Sequence, residues 1–314
     1  MHFVLHFVFH FVFPFVLASV LGGFSGQARA GSGGSGASFH FCDAAPPMTA
    51  TQQDHLLRFA AIVKRELDDS GASLALVARN GTDLRRFGVR YSHAGLSLKA
   101  NGNGAWSVRQ LYYACDERRP RLFDQGLSGF LFGTDDPALG YLSIVLLPGA
   151  PGDALERAAL DNPRALRLLA ARYSANAYPF STEYQNCNQW VAELFAAAWA
   201  PLSDSDDLRL RAQAWLASQG YAPTPVELGS HLLMAAAPFV PMIHVDDHPI
   251  EDQYALHFRI SLPAALERFA REQVPGARRI ELCHDAHRVV VHRGWDELPE
   301  GCTPGEGDRV IDFD

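Results

Sequence analysis

The sequence has few lysines and no dense cluster of basic residues. Of 314 residues, 27 are basic and 35 are acidic, and the formal net charge at pH 7 is −8. Only two of the basic residues are lysine. A protein that follows a phosphate backbone needs a basic patch or stripe. The composition therefore argues against nucleic acid as a partner.

Charge is also missing from the beginning of the chain, where no Lys, Arg, Asp or Glu precedes Arg29. This apolar run closes with the Ala-x-Ala pattern Ala28-Arg29-Ala30, which is typical of a secretory signal peptide. We expect residues 1–30 to be removed and the mature protein to be periplasmic or secreted. The run is nearly long enough to span a bilayer, so an uncleaved membrane anchor stays open as an alternative. A Gly/Ser-rich linker follows over residues 31–50.

Cysteine is scarce, and its count is odd. In an oxidising compartment an odd number of cysteines leaves one thiol unpaired, and several pairings are open from sequence alone. We expect Cys283 to pair with Cys302, closing a short loop worth about 3 kcal/mol. We also expect Cys42 to pair with Cys115, which leaves Cys187 reduced.

Two common catalytic signatures are absent. The run from Gly126 to Gly129 is followed by Phe130, so it falls short of the Gly-x-Ser-x-Gly nucleophile elbow. No pair of histidines has the His-x-x-x-His spacing on a predicted helix. We therefore predict neither a serine hydrolase nor a metal site, and no cofactor.

Hydrophobic periodicity predicts a mixture of helices and strands. Helices are expected at about 51–70, 153–173 with an interruption at Pro163, 206–219 and 263–272. Strands are expected at about 74–79, 90–98, 105–113 and 140–147, with one or two more at 279–291. Residues 118–133 and 174–185 are interpreted as loops. The predicted fold class is α+β, with a core over 51–200 and an α/β extension over 201–314 that packs on this core.

A cysteine begins the helix that carries the clearest chemical signal. Counted from Cys187, apolar residues recur at helical spacing, so the thiol is expected to face protein rather than water. Asn186 is a good N-cap, and Gln189 follows it at capping-box spacing. A cysteine at the first helical position lies at the positive end of the helix dipole, which favours the thiolate. Cys187 is therefore a candidate nucleophile, although a cysteine on an apolar face is more often a packing residue.

A histidine on a predicted strand provides a candidate base. His93 alternates with the aliphatic side chains of its strand, and a Cys-bearing helix packed on a small antiparallel sheet can bring Cys187 against it. Imidazole would take the thiol proton, and backbone N–H groups at the helix start would stabilise an oxyanion. Gln110, on the neighbouring strand of the predicted hairpin, is the candidate that holds the imidazole in one tautomer. An ordinary polar residue at a sheet edge is an equally good interpretation of Gln110.

Six further polar or aromatic residues are predicted to contact substrate, because they flank the two catalytic candidates or lie in the loop predicted at 118–133. They are Tyr91, Gln185, Asn186, Asn188, Asp124 and Gln125.

The segments Tyr91-Ser92-His93-Ala94-Gly95 and Asn186-Cys187-Asn188-Gln189-Trp190-Val191 resemble motifs of the circularly permuted papain-fold group related to NlpC peptidases. In that group the histidine precedes the cysteine. More closely, the run 90–133, the segment 173–180 and several later motifs resemble the bacterial domain-of-unknown-function family 2145. The resemblance implies a permuted papain-like core with Cys187 as nucleophile, His93 as base and a polar residue near Gln110 as orienter.

These observations predict an exported cysteine-dependent hydrolase or acyl transferase that acts on an amide or ester carbonyl. A peptide of the cell envelope is the first substrate class to consider, by analogy of fold alone. The alternative is a non-catalytic envelope protein that uses a papain-like shape for binding or assembly.

Overall fold

The protein is built around an antiparallel sheet with helices on both faces. A computed structural model describes residues 48–237, 240 and 242–313. Among these residues, eight strands form one sheet: β1 Leu74–Arg79, β2 His93–Leu98, β3 Ser107–Ala114, β4 Arg119–Gln125, β5 Gly140–Leu146, β8 Arg278–His284, β9 Arg288–Arg293 and β10 Arg309–Asp312. Their order in the sheet is β10-β9-β8-β5-β1-β2-β3-β4, and every neighbouring pair is antiparallel. A separate two-stranded sheet pairs β6 Thr224–Glu227 with β7 His257–Ile260.

The longer helices lie where the periodicity predicts them, whereas three short helices were not predicted. They are α1 Ala50–Asp69, α2 Leu127–Phe132, α3 Gly149–Leu160, α4 Asn162–Arg167, α5 Cys187–Trp199, α6 Leu208–Ser218, α7 His231–Ala236, α8 Ile250–Ala255 and α9 Pro263–Gln273. The predicted helix over 153–173 is two helices, and Pro163 stands in the first turn of the second one. Proline is tolerated there because the first helical N–H groups have no partner within the helix. Within the described part of the chain, no helix has the length and apolarity needed to cross a bilayer.

Strand alternation divides the sheet into two apolar faces. On the front face, Leu76 and Leu96 pack with α3, α5, α6 and α9. On the back face, Val77 and Ile144 pack with α1 and α2. Side chains that are adjacent along a strand therefore enter different clusters, as the period of two requires. Because α5 lies between the sheet and other helices, its residues from Cys187 to Ala197 are all buried, including the polar ones.

Two expectations are corrected by this sheet. Residues 118–133 do not form a loop, because β4 pairs along its whole length with β3 and α2 follows it directly. The mixed charges of this segment hide the alternation of the strand. The sheet is also not small, because β8, β9 and β10 extend it beyond β5. A domain boundary near residue 200 stays a prediction.

The C-terminal disulfide forms as the sequence predicts. Cys283 on β8 is bonded to Cys302, nineteen residues later in the chain. Cys187 is the free cysteine among the described residues. Cys42, the partner predicted for Cys115, lies outside the described residues, as do the predicted signal peptide and most of the predicted linker.

Candidate active site

The helix that carries Cys187 begins as its sequence predicts. Asn186 is the N-cap, and its side-chain oxygen accepts a hydrogen bond of 2.7 Å from the backbone N–H of Gln189. The amide nitrogen of Asn186 donates to the carbonyl oxygens of Ala175 and Ser261. The Gln189 side chain does not complete a capping box, because it donates instead to Glu193 and to the preceding loop. Cys187 is thus the first helical residue, held by a cap that is itself anchored on two other segments.

The sulfur of Cys187 lies in a buried place beside strand β2. Cys187 is 5% exposed, and the backbone N–H groups of Ala94 and Asn188 face its sulfur. Burial raises the pKa of the Cys187 thiol to about 11, and these N–H groups offset only part of the increase. The helix start does favour the thiolate, as the sequence predicts, but this effect is not enough to ionise the thiol at rest. Desolvation outweighs the helix dipole at this site.

His93, the first residue of β2, is held by a hydrogen bond to Gln110. Its Nε2 lies 2.7 Å from Oε1 of Gln110, and its ring packs against those of Tyr112 and Phe130. Burial lowers the pKa of His93 to about 3, with a further contribution from the nearby Arg79 cation. The imidazole is therefore neutral at physiological pH. A hydrogen bond at Nε2 leaves Nδ1 for a second partner.

Gly95 allows strands β2 and β3 to approach each other closely. A β carbon on Gly95 would lie 2.9 Å from the backbone oxygen of Arg109 and 3.1 Å from the β carbon of Gln110. The regular pairing of β2 with β3 begins only at Leu96 and Arg109. The missing side chain at Gly95 therefore lets Gln110 come within hydrogen-bond distance of His93.

The two catalytic candidates contact the same strand from different sides. Cys187 belongs to the front cluster with Ala94 and Leu96, whereas strand alternation directs His93 towards Phe130 in the back cluster. Asn188 donates a 3.1 Å hydrogen bond to the carbonyl oxygen of Ser92. The start of α5 thus contacts the backbone on both sides of His93. The structure brings together His93 with Gln110, and Cys187 with the backbone of Ala94.

Three of the residues predicted to contact substrate have their polar groups engaged inside the protein. Gln185 is fully buried and bonds Ala170, Leu168 and Glu193. Asn186 serves as the N-cap. Asn188 also donates to Ser261, while its own side-chain oxygen is buried without a partner.

Of the other three residues of that set, Tyr91 lies just before β2, and Asp124 and Gln125 lie on β4. The hydroxyl of Tyr91 donates to the buried carboxylate of Glu281. Asp124 receives a two-point ion pair from Arg109, which stands directly opposite it on β3. Gln125 accepts a hydrogen bond of 2.7 Å from the amide nitrogen of Gln110. Of these residues, Gln125 is the one connected to the catalytic candidates.

Sequence patterns missed a buried polar network behind Cys187. Glu193, on α5, accepts hydrogen bonds from Gln185, Gln189, Arg209 and Gln213. A buried carboxylate is tolerated when its partners satisfy both oxygens. The network fixes the segment that leads into the helix start. A charged residue on an otherwise apolar helix was the available sequence signal.

A buried arginine was missed as well. Arg79 is 3% exposed and stands opposite His93 in the pairing of β1 with β2. Its guanidinium donates to the carbonyl oxygens of Asn80 and Gly133 and lies over the ring of Phe130. Within the described ranges it forms no ion pair with a carboxylate. Its positive charge therefore acts directly on the site, lowering the pKa of His93 and opposing the rise in the pKa of Cys187.

Side chains that could bind a metal ion are not clustered in the part of the chain that the structure describes. No group of three or more His, Cys, Asp or Glu side chains there is arranged to hold a metal ion. The late histidines enter other contacts, such as that of His248 with the carbonyl oxygen of Asn176 and that of His292 with Asp308.

Fold and site together describe a mixed α+β protein with a free cysteine at a capped helix start, beside a strand whose histidine is hydrogen-bonded to a glutamine of the next strand. The chain belongs to the family DUF2145, described as an uncharacterized protein conserved in bacteria, whose model matches residues 66–270. The comparisons with curated proteins and with solved structures found no match.

Proposed function

We propose that this protein is a cysteine-dependent hydrolase or acyl transferase acting on an amide or ester carbonyl, with a core arranged like a permuted papain fold. The observation that carries the proposal is the hydrogen bond between His93 Nε2 and Gln110 Oε1. His93 is followed on β2 by Ala94, whose backbone N–H faces the sulfur of Cys187. An imidazole held at Nε2 has Nδ1 available as a base. Histidine before cysteine in the chain agrees with the permuted motif order.

In the proposed reaction, Nδ1 of His93 takes the proton from Cys187 as the sulfur bonds to the carbonyl carbon and the carbonyl π electrons move to oxygen. Collapse of this intermediate breaks the bond to the leaving amine or alcohol, which takes the proton from the imidazolium. Water or a second nucleophile, deprotonated by the same imidazole, then cleaves the thioester and restores the thiol. Both side chains are neutral at rest, which argues against a preformed ion pair. Because the pKa of His93 is far below that of Cys187, the proton transfer in this proposal accompanies bonding of the sulfur to the carbonyl carbon.

Proton transfer requires Nδ1 within hydrogen-bond reach of the sulfur, and such contacts are often looser before substrate binds. His93 is the first residue of β2, and residues 93–95 precede the regular pairing with β3. The ring lies on the back side of β2 and the sulfur on the front, so the proposed reaction requires the His93 side chain to turn towards Cys187 when substrate binds. An exported protein acting on envelope peptides is the setting we propose.

The experiment uses p-nitrophenyl acetate as a simple ester, with intact-protein and peptide mass spectrometry to locate the acetyl group. We expect acetylation at Cys187, lost in Cys187→Ser and slowed by about 10²–10⁴-fold in His93→Gln, the range for removal of a general base. The matched control is His287→Gln, which removes an exposed histidine and should leave the rate unchanged. Acetylation of Cys187 at the same rate without His93 would contradict the proposal.

A second candidate function is a non-catalytic envelope binding or assembly protein. It is favoured by the burial of Cys187 and by the different sides of β2 that Cys187 and His93 occupy. If Cys187 stays unmodified by the ester in protein that remains folded, this second function replaces the first.

A further inference from the structure

Three side chains form a hydrogen-bonded row that begins at His93 and ends at the last residue of β4. His93 Nε2 lies 2.7 Å from Gln110 Oε1, and Gln110 Nε2 donates a bond of 2.7 Å to Gln125 Oε1. Val108 stands opposite Gln125 in the pairing of β3 with β4, so Gln110 is its diagonal neighbour on the same face. The row crosses three strands on the back of the sheet.

The chemistry of a primary amide gives this row a direction. An amide oxygen only accepts hydrogen bonds, and an amide nitrogen only donates them. When Gln110 donates to Gln125, its oxygen faces His93 and must accept from an N–H at Nε2. The other ring nitrogen, Nδ1, then carries a lone pair. If the Gln110 amide were turned over, its nitrogen would face the imidazole, and the proton would have to be on Nδ1 instead.

A glycine in the next helix leaves the space that the Gln125 side chain occupies. A β carbon on Gly129 would lie 2.9 Å from Nε2 and 3.0 Å from Cγ of Gln125. The contact with Nε2 is closer than real β carbons approach such an atom, so the Gln125 amide occupies space that another residue at 129 would need. The turn of α2 thus packs directly against the end of the hydrogen-bonded row.

We propose that Gln125 is a positioning residue, whose side-chain oxygen orients the Gln110 amide and thereby keeps His93 in the tautomer with its proton on Nε2. The inference rests on the proposed function, because it gives Nδ1 the lone pair that a base needs. Gln125 has no contact with substrate in this role. It acts through Gln110 alone.

The test compares Gln125→Met, which keeps the length of the side chain but removes its acceptor, with Gln125→Glu, which keeps an acceptor at the same place. Nitrogen-15 spectra of histidine-labelled protein report which ring nitrogen of His93 carries the proton, and the His93→Gln variant assigns the signals. We expect the Nε2–H form in the wild type and in Gln125→Glu, and a substantial Nδ1–H fraction in Gln125→Met. Arg119→Gln, an exposed change on the same strand, is the control and should leave the spectrum unchanged.

The rate of Cys187 acetylation is the second readout. We expect Gln125→Met to lower it by about tenfold to a hundredfold, as for other groups that orient a functional histidine, and Gln125→Glu to restore it. Gly129→Ala adds an independent variant, since its new methyl group displaces the Gln125 amide without changing its chemistry. It should shift the tautomer in the same direction.

The outcomes separate this inference from the proposed function. A Nε2–H signal in folded Gln125→Met as strong as in the wild type overturns the positioning role, whatever the rate of acetylation. A tautomer shift in Gln125→Met supports that role even if the wild type is not acetylated at all, in which case the proposed function alone fails.

Discussion

At the scale of single residues, burial governs the acid–base state of the site. The pKa of Cys187 is raised to about 11 and that of His93 is lowered to about 3, in each case first by desolvation of the charged form. Both side chains are therefore neutral over the physiological range. A sequence that places a cysteine at a helix start and a histidine on a strand contains no measure of this desolvation.

This electrostatic state predicts how Cys187 alkylation depends on pH. Only the thiolate reacts, and with a pKa near 11 its fraction rises about tenfold for each pH unit between 7 and 9. We expect the iodoacetamide rate at Cys187, measured by mass spectrometry, to rise over that whole interval without levelling. The Cys187→Ser variant should show no labelling at this position. A rate that levels below pH 8 would instead indicate a thiolate already stabilised at rest.

At the scale of elements, the start of α5 depends on its cap. Asn186 accepts from Gln189 and donates to Ala175 and Ser261, so the cap joins the helix to two distant segments. The sequence predicted this cap and the first helical residue correctly. It did not predict β4, because the alternating residues of Arg119–Gln125 include charges on both faces. Since the Gln125 contact depends on β4, that part of the site was beyond sequence patterns.

Replacement of the cap tests its connection to Cys187. We expect Asn186→Ala to lower the free energy of unfolding, measured in urea, by about 1–2 kcal/mol, since the cap bond is lost. We also expect it to change the iodoacetamide rate at Cys187. The matched control is Thr49→Ala, which removes the N-cap of α1 on the back face. That variant should lose similar stability while the rate stays as in the wild type; a changed rate in both variants would indicate general loosening rather than a local effect of the cap.

At the scale of the whole molecule, one sheet joins segments that are far apart in the chain. Strand β8 pairs with β5, and Arg90 near the start of β2 donates to Glu281 on β8. The disulfide bonds Cys283 on β8 to Cys302 in the segment after β9, and both cysteines are fully buried. The sequence predicted this pair from spacing, yet it did not predict that β8 would extend the same sheet as His93.

Removal of the disulfide tests how much it stabilises the chain. A crosslink that closes a loop of this length contributes about 3 kcal/mol by restricting the unfolded state. We expect the double variant Cys283→Ala and Cys302→Ala to lose about that much free energy of unfolding. Acetylation at Cys187 should persist while the variant is folded, because Cys187 takes no part in the crosslink. A loss below about 1 kcal/mol would contradict this estimate.

The sequence by itself determined the local features of this protein: the amphipathic α1, the strand alternation around His93, the second helix start at Pro163, the Asn186 cap and the pairing of the last two cysteines. These depend on neighbours a few residues away. Only the tertiary structure decided that Cys187 is protonated at rest, that Gln110 donates a hydrogen bond to Gln125, and that Glu193 and Arg79 are buried near Cys187 and His93. Those properties depend on desolvation and on partners brought together from distant segments, and such distances are set by packing rather than by sequence spacing.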